Sequence, residues 1–286
     1  MRPFNYLAPT RLDEALSLLT PQAVPLAGGT DLFLRMERRQ TQPDTVVDLK
    51  RIPGMDGVEA VDGGVRIGAL ALMETLSASP LISGPYDALA QSARVVGSIQ
   101  TRNRATVGGN LANASPAADT ATPLMALAAT VEAADAGGTR EIPVDELFVG
   151  PGRTALREGE LLTAVRVPAL PACAGSAFQR CVRTAMDIAV VNCAAFVRLD
   201  ADGAVAEARI ALGAVGPTPL RAPAAENRLK GRRLDSAAAV EAVECAVEDA
   251  SAIDDVRASA DYRREMVRVL TRRALENAFR RAGGEG

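Results

Sequence analysis

Thr106-Val107-Gly108-Gly109-Asn110 begins the stretch that decides the fold of this chain, and the stretch continues as LANASPAAD to Asp119. A glycine pair lets the backbone approach a ligand closely and adopt positive φ angles. Successive backbone N–H groups there can form a concavity that binds an anion. Another stretch of this kind lies earlier in the chain, at residues 24–32, and contains Gly28-Gly29-Thr30. Two such segments predict one extended ligand with phosphate groups that is held from both sides.

The glycine pairs also have an ordinary interpretation. A lone Gly-Gly pair most often marks a turn that binds no ligand. Neither stretch contains the nucleotide-binding patterns G-x-G-x-x-G or G-x-x-x-x-G-K-S/T. The spacing therefore excludes the Rossmann and P-loop classes of site.

The composition of the 286-residue chain argues against nucleic acid and membrane partners. The formal net charge is −3, so no overall positive field would attract nucleic acid. Three tyrosines, six phenylalanines and no tryptophan offer few surfaces for base stacking. No apolar run reaches the length of a membrane span. Residues 1–9 lack the apolar core of a secretory signal, so we expect a cytoplasmic protein.

Histidine is absent from the sequence, which removes Ser-His-Asp and Cys-His catalysis, histidine-ligated metals and imidazole acid–base chemistry. The cysteines match no zinc or iron–sulfur spacing; they are Cys173, Cys181, Cys193 and Cys245. We expect them to be buried free thiols in a reducing compartment, and we expect no metal site. Any catalysis would then depend on a bound cofactor.

Hydrophobic periodicity and turn residues predict helices and strands up to a boundary at residues 169–175. The predicted elements are helices at 11–19, 31–39, 86–96 and 116 to about 129, strands at 24–27, 45–49 and 160–168, and hairpins within 57–69 and 130–143. Pro116 would lie in a first helical turn, where proline is favourable. Residues 1–170 are predicted to form one domain.

Residues 171–286 are predicted to form a second domain of the α+β class, with strands followed by helices. The strands, at 177–182, 189–199 and 204–215, would form an antiparallel meander, and helices would cover 222–230, 235–250 and 260–281. Val240, Val243 and Val247 are expected to form one apolar face. The seven arginines of the last helix are expected to be solvated or to face a partner.

Taken together, the glycine segments resemble those of the FAD-binding medium subunits of molybdenum hydroxylases. This family includes the flavin domain of xanthine dehydrogenase and the medium subunit of aerobic carbon monoxide dehydrogenase. The similar residues are AGGTDL at 27–32, TVGGN at 106–110, ASP at 114–116 and Asp119. The resemblance continues at Ser176-Ala177-Phe178, at 186–189 and at 256–264, so it spans nearly the whole chain.

The resemblance implies an α+β fold with two domains. Residues 1–170 would form an FAD-binding domain of the PCMH type, also called vanillyl-alcohol-oxidase-like, built from two α/β subdomains. Residues 171–286 would form a C-terminal α+β domain of the carbon monoxide dehydrogenase flavoprotein type, with a three-stranded antiparallel sheet and helices.

The resemblance also implies which residues contact FAD. Those expected at the pyrophosphate and its flanks are Pro25, Leu26, Ala27, Gly28, Gly29, Thr30, Asp31, Leu32, Thr106, Val107, Gly108, Gly109 and Asn110. Those expected toward the flavin are Asp119, Leu162, Gln179, Asp187 and Ile188, and Ser115 is also expected to contact FAD. Gln179 departs from the family, since some members place a lysine there. Without the resemblance, Asp119 is equally a carboxylate at a helix start, and Leu162 and Ile188 are equally core residues.

In the resembling complexes, a large molybdopterin-binding subunit oxidises the substrate, and electrons pass through the [2Fe–2S] clusters of a small subunit to FAD. The resemblance thus implies an electron-transfer subunit that reduces an external acceptor within a dimer of heterotrimers. Two alternatives stay open, namely a self-sufficient flavin-dependent oxidoreductase and a nucleotide-binding scaffold without redox activity. The first needs an acid or base near the flavin, and the sequence suggests none.

Overall fold

Three β-sheets with helices packed against them organise the computed structural model, which describes residues 1–234 and 236–284. One large cluster of buried apolar side chains extends from the first sheet through the second to one face of the third. A second cluster fills the space between the other face of the third sheet and its helices. Within the described residues, no helix has both the length and the apolar character needed to cross a bilayer.

The first sheet is parallel and contains the strand that leads into residues 27–32, the first glycine segment in chain order. Residues 106–110 are the second glycine segment. Its elements are β1 (Asn5–Leu7), α1 (Leu12–Leu18), β2 (Ala23–Leu26), α2 (Leu32–Glu37) and β3 (Thr45–Asp48). The strands lie in the order β1-β3-β2, and helices join them because parallel neighbours need a crossover connection. Leu26 is paired with Asp48, so β2 and β3 end at the same edge of the sheet.

The second sheet is antiparallel, and its strands are separated in the chain by several short helices. Its elements are β4 (Val58–Val61), β5 (Gly64–Gly68), α3 (Met73–Ala78), α4 (Asp87–Arg94), α5 (Ile99–Arg102), α6 (Val107–Ala112), α7 (Ala121–Ala126), β6 (Thr130–Asp135), β7 (Gly138–Pro143), α8 (Val144–Leu147), β8 (Phe148–Gly150), β9 (Arg153–Thr154) and β10 (Leu161–Pro168). The five strands of the sheet lie in the order β4-β5-β10-β6-β7, and β8 and β9 form a separate two-stranded sheet. Two 3₁₀ helices occur at Leu49–Arg51 and Gly84–Tyr86.

The third sheet is antiparallel and has four strands, whereas the sequence predicted three. Its elements are β11 (Ala174–Cys181), β12 (Val191–Leu199), β13 (Val205–Gly213), β14 (Leu220–Arg221), α9 (Pro223–Leu229), α10 (Ser236–Asp249) and α11 (Ala260–Arg281). The additional strand is β14, which is too short to show an alternating pattern in the sequence. The predicted start of the middle helix, Asp235, lies outside the described residues.

The helix predicted to begin at Pro116 begins only at Ala121. Ala114 has a positive φ of 48°, and the N–H groups of the two residues after Pro116 both donate to Ser115. The proline in the first turn of α7 is Pro123, where the missing N–H costs no helical hydrogen bond. Residues 115–120 are therefore a connecting segment between α6 and α7.

Two expectations about buried side chains are wrong. Val240 is 53% exposed, so only Val243 and Val247 of the predicted apolar face are buried. Cys193 is buried, and burial raises the pKa of its thiol to about 12. Cys173 is exposed, and Cys181 and Cys245 are partly exposed at the margin of the second apolar cluster.

Arg263 is buried, although the sequence predicted that the arginines of the last helix would face solvent or a partner. Its Nη1 donates to the carbonyl oxygens of Val190 and of Ala214. Its Nη2 pairs with Asp255 at 2.7 Å. Arg263 therefore holds the start of β12, the end of β13 and the segment before α11 against one helix.

Replacement of Arg263 with Met is expected to lower the free energy of unfolding by about 3 kcal/mol, because it leaves Asp255 and two carbonyl groups without their donor. Urea denaturation measures the change. Arg264→Met is the matched control: the Arg264 side chain is 43% exposed and pairs with the exposed Asp261, so its expected loss is below about 1 kcal/mol. Equal losses in the two variants would contradict the buried role of Arg263.

Candidate functional site

The first glycine segment lies between β2 and α2 and needs its two glycines for different reasons. A Cβ atom on Gly28 would lie 2.0 Å from the carbonyl oxygen of Arg104, so only glycine permits this backbone contact. Gly29 has a φ of +80°, a region in which residues with a side chain are strained. The positive φ expected of a ligand-binding glycine segment occurs here at Gly29.

The backbone of the first glycine segment has N–H groups to offer to a ligand. Among the described residues, the N–H groups of Gly29 and Thr30 donate no hydrogen bond. Asp31 is the N-cap residue of α2, but its side chain makes no capping hydrogen bond. Consecutive free N–H groups in such a turn can bind phosphate oxygen atoms.

The second glycine segment forms the first turn of α6 rather than a loop. Thr106 is the N-cap, and its Oγ1 accepts the N–H of Gly109 at 3.1 Å. The N–H groups of Val107 and Gly108 donate to carbonyl groups that follow β5, and a Cβ on Gly108 would lie 2.7 Å from Ala69. The expectation of free N–H groups and positive φ is therefore wrong for this segment. Its glycines permit close packing instead.

The two glycine segments lie side by side. Gly28 contacts the backbone of residues 104–105, directly before the cap of α6. A Cβ on Gly109 would lie 3.9 Å from the Cβ of Ala27. The structure thus brings the predicted pyrophosphate residues from two distant parts of the chain into one place.

Leu162 is buried in β10 beside the second glycine segment. The carbonyl group of Thr163 accepts the N–H of Ala69 at 2.9 Å, and Gly108 packs on Ala69. Leu162 therefore neighbours the predicted pyrophosphate residues. Its exposure of 6% agrees equally with the alternative of a core residue.

Asp119 joins the connecting segment before α7 to the third sheet. Its Oδ2 pairs with Arg180 at 2.8 Å, and its Oδ1 accepts from Asn192 Nδ2 at 3.2 Å. Thr122 donates to Asn192 Oδ1 at 2.9 Å. Burial raises the pKa of Asp119 to about 6, although Arg180 and Asn192 favour the charged form. Asp119 is not a helix cap, because α7 begins two residues later.

A pocket of about 410 Å³ opens between the connecting segment, the loops that precede β12 and follow β13, and the segment before α11. It brings together Ile188, which is expected near the flavin ring, and Ser115, which is expected to contact FAD. Ile253 adds to its apolar lining, and Asp255 and Arg257 add charge. A mostly apolar pocket with a few polar groups is the usual form of a small-molecule site.

Arginines hold the acidic side chains around this pocket. Asp255 pairs with Arg263 at 2.7 Å and with Arg257 at 3.1 Å. Asp187, the neighbour of Ile188, pairs with Arg183 at 2.6 Å, and this bond lowers the pKa of the Asp187 carboxyl. Both carboxylates are therefore ionised and hydrogen-bonded at neutral pH.

Gln179 lies on the opposite face of the third sheet from Asp119. Gln179 is the cross-strand partner of Cys193, whose sulfur contacts Thr271 of α11 at 3.7 Å. Cross-strand partners share a face of the sheet, so Gln179 is on the α11 face. The next residue, Arg180, reaches Asp119 on the other face. The structure therefore separates Gln179 from Asp119, another residue expected to contact the flavin.

Sequence reasoning missed two basic side chains beside the glycine segments. Lys50 Nζ lies 3.4 Å from the carbonyl oxygen of Ala27, and Arg35 donates to Asn113 Oδ1 at 2.5 Å. Because the segments themselves contain no lysine or arginine, the sequence favoured phosphate binding by backbone N–H groups alone. A signal for Lys50 is nevertheless present, because it follows β3, and ligands of open α/β sheets bind where parallel strands end.

Known protein families match almost the entire chain. The family described as the FAD binding domain in molybdopterin dehydrogenase matches residues 2–170. The family described as the CO dehydrogenase flavoprotein C-terminal domain matches residues 176–278.

Individual relatives match along their whole length. The xanthine dehydrogenase FAD-binding subunit of Escherichia coli O157:H7 is 32% identical over 286 residues, with 98% of both chains covered. The carbon monoxide dehydrogenase medium chain of Hydrogenophaga pseudoflava is 34% identical over 281 residues, covering 97% of this chain and 98% of the relative. The solved structure of carbon monoxide dehydrogenase from that organism has a TM-score of 0.94 at 35% identity, covering 98% of this chain and 99% of that chain.

Replacement of Gly28 with Ala is expected to weaken FAD binding about tenfold or more, a loss of about 1.4 kcal/mol. The added Cβ would lie 2.0 Å from the carbonyl oxygen of Arg104 and must push the glycine segments apart. Titration of the apoprotein with FAD gives the Kd. Gly150→Ala is the control, since Gly150 has open space around its Cβ position and no positive φ. An unchanged Kd in Gly28→Ala would show that the close contact is not needed.

Replacement of Asp119 with Ala is expected to lower the free energy of unfolding by about 3 kcal/mol, because it leaves a buried guanidinium without its carboxylate. The Arg180 side chain is only 10% exposed. Urea denaturation measures the loss, and Asp202→Ala, at an exposed turn, is expected to change it by less than about 0.5 kcal/mol. If both variants lose the same amount, the ion pair does not hold the connecting segment to the third sheet.

Proposed function

Because the chain belongs to the family of FAD-binding medium subunits of molybdenum hydroxylases, with FAD as its cofactor, we propose that it transfers electrons from a [2Fe–2S] partner to an external acceptor. The observation that carries this proposal is the full-length similarity to two subunits whose names include different substrates. Xanthine and carbon monoxide have little chemistry in common, whereas the similarity to this chain is nearly equal. In the proposal, the substrate site therefore belongs to another chain.

The residues of the first glycine segment fit the diphosphate of FAD. Gly28 leaves room for the backbone of residues 104–105, where a Cβ would fill the space. Gly29 and Thr30 have N–H groups with no acceptor among the described residues, and these groups would bind phosphate oxygen atoms. Bound FAD would supply the reversible uptake of one or two electrons. Ser115 and Ile188 would border its ring from the pocket.

The acidic side chains favour an electron-transfer role over a self-sufficient flavin-dependent oxidoreductase. An enzyme that oxidises an organic substrate needs an acid or base near the flavin. Hydrogen bonds hold the pKa of the Asp187 carboxyl below its ordinary value, and they do the same at Asp255 although burial opposes the shift. Asp119 has a raised pKa, but both of its oxygen atoms accept hydrogen bonds, from Arg180 and Asn192.

The proposal extends to the assembly and to the domains. The words medium chain in the name of one relative support a complex with a larger and a smaller subunit. We take these to be a molybdopterin-binding chain and a [2Fe–2S] chain, assembled as a dimer of heterotrimers. We assign residues 1–170 to the FAD-binding domain and 171–286 to the second domain, because the third sheet begins with β11 at Ala174.

The purified chain is expected to hold one FAD without a covalent bond, because it has no histidine, the usual attachment point for flavin in this fold. A visible absorption spectrum detects the flavin, and acid precipitation is expected to release all of it into the supernatant. Flavin that stays on the denatured polypeptide would contradict the expectation. A protein that binds no flavin would instead support the alternative of a scaffold.

The role in electron transfer is tested with the same preparation and with the native complex. The FAD-loaded chain alone is expected to oxidise no organic substrate. Purification from the native source is expected to yield two further chains, which contain molybdopterin and [2Fe–2S] clusters. Substrate turnover by the lone chain would overturn the proposal in favour of the self-sufficient oxidoreductase.

A further inference from the structure

We propose that Lys50 binds the diphosphate of FAD at the first glycine segment and contributes to the affinity for the cofactor. Lys50 and Lys230 are the two lysines of the chain, and neither glycine segment contains a basic residue. The inference rests on FAD binding, which the family establishes, and it holds whichever partner delivers the electrons.

Lys50 lies at the edge of the first sheet where β2 and β3 end together. The register places Asp48 beside Leu26, so the residues that follow the two strands are neighbours. Lys50 Nζ lies 3.4 Å from the carbonyl oxygen of Ala27, the residue directly before Gly28. The ammonium group is thus held against the segment that has free N–H groups.

Asp48 fixes the lysine in this position. Its Oδ1 accepts the backbone N–H of Lys50 at 3.1 Å and the Nζ at 2.6 Å. Its Oδ2 accepts a hydrogen bond from the hydroxyl of Tyr6. Although burial opposes the shift, these hydrogen bonds hold the pKa of the Asp48 carboxyl below its ordinary value. The lysine is therefore oriented before any ligand arrives.

The side chains of Asp48 and Lys50 differ in exposure, and the more exposed one is the cation that would meet an anionic ligand. The Asp48 side chain is 5% exposed, whereas that of Lys50 is 37% exposed. The carboxylate is enclosed by protein, and the ammonium group stays accessible. A hydrogen bond between an ammonium group and a phosphate is stronger than one between neutral groups, so Lys50 adds to what the backbone N–H groups provide.

Local charge gives a reason for a cation at this edge. A diphosphate bound here would meet the carboxylates of Asp48 and of the exposed Asp31, and like charges at short range repel. Lys50 offsets this repulsion. Arg35, another basic side chain nearby, already donates to Asn113 beside the second segment.

Lys50→Met tests the proposal by titration of the apoprotein with FAD. We expect the Kd to rise about tenfold, as for the loss of one hydrogen bond to a charged group. Lys50→Arg keeps the charge and is expected to bind within about threefold of the wild type. Lys230→Met, at the exposed end of α9, is the matched control and is expected to bind FAD like the wild type. An unchanged Kd in Lys50→Met would overturn the proposal.

A second measurement separates contact with phosphate from a purely structural role. Salt screens exposed charges, so the Kd of Lys50→Met is expected to rise less steeply with salt than that of the wild type. Riboflavin has no phosphate group, and we expect the wild type and Lys50→Met to bind it equally. An equal loss of affinity for riboflavin and FAD would show that the lysine only maintains the fold.

The double variant Asp48→Asn/Lys50→Met tests whether the lysine serves only to neutralise Asp48. If Lys50 acts on the diphosphate, the double variant recovers only the part of the lost affinity that came from repulsion by Asp48, and it still binds FAD more weakly than the wild type. Recovery of wild-type affinity in the double variant would overturn the proposal. Either outcome is distinct from a failure of the electron-transfer proposal, because that proposal is tested by substrate turnover and partner chains. The Lys230→Met control is expected to bind FAD like the wild type in both cases.

Discussion

The backbone contact between Gly28 and the carbonyl group of Arg104 is the constraint on which the arrangement of the FAD residues depends. It joins the edge of a parallel sheet to the segment that leads into α6. Gly108 repeats the same kind of contact against Ala69, so α6 is packed closely on the second sheet. Contacts between backbones leave little room for adjustment. The free N–H groups next to Gly28 are consequently held in one place relative to the second segment.

Charge pairs connect the parts of the molecule that these backbone contacts leave separate. Asp119 and Arg180 link the connecting segment to β11, and Arg263 links three segments around the pocket. A buried ion pair loses much of its attraction to desolvation, and its partners are costly to separate. Such pairs therefore favour one arrangement over others more than they raise stability. In this chain they also keep the acidic groups around the pocket from acting as free bases.

Local patterns predicted many elements well and failed where tertiary packing opposes a local signal. The hairpin turn at residues 62–64, the three long strands of the third sheet and the helix Ala260–Arg281 all agree with the sequence. Residues 107–112 are helical despite two glycines, which disfavour a helix, because Gly108 packs on Ala69 directly after β5 and Gly109 lies against the capping Thr106. Pro116 and Pro123 both suit the first turn of a helix. The turn at Ser115 decides that the helix begins near Pro123 and not at Pro116.

The sequence by itself determined the family and the cofactor, because the two glycine segments and the residues after them are contiguous patterns that can be compared directly. It also determined that no histidine chemistry is available. Only the tertiary structure decided which N–H groups are free, that Asp119 pairs with Arg180, and that Lys50 reaches the first segment. The physical reason is that hydrogen bonds and ion pairs depend on distance in space. Partners far apart in the chain become neighbours only when the sheets pack.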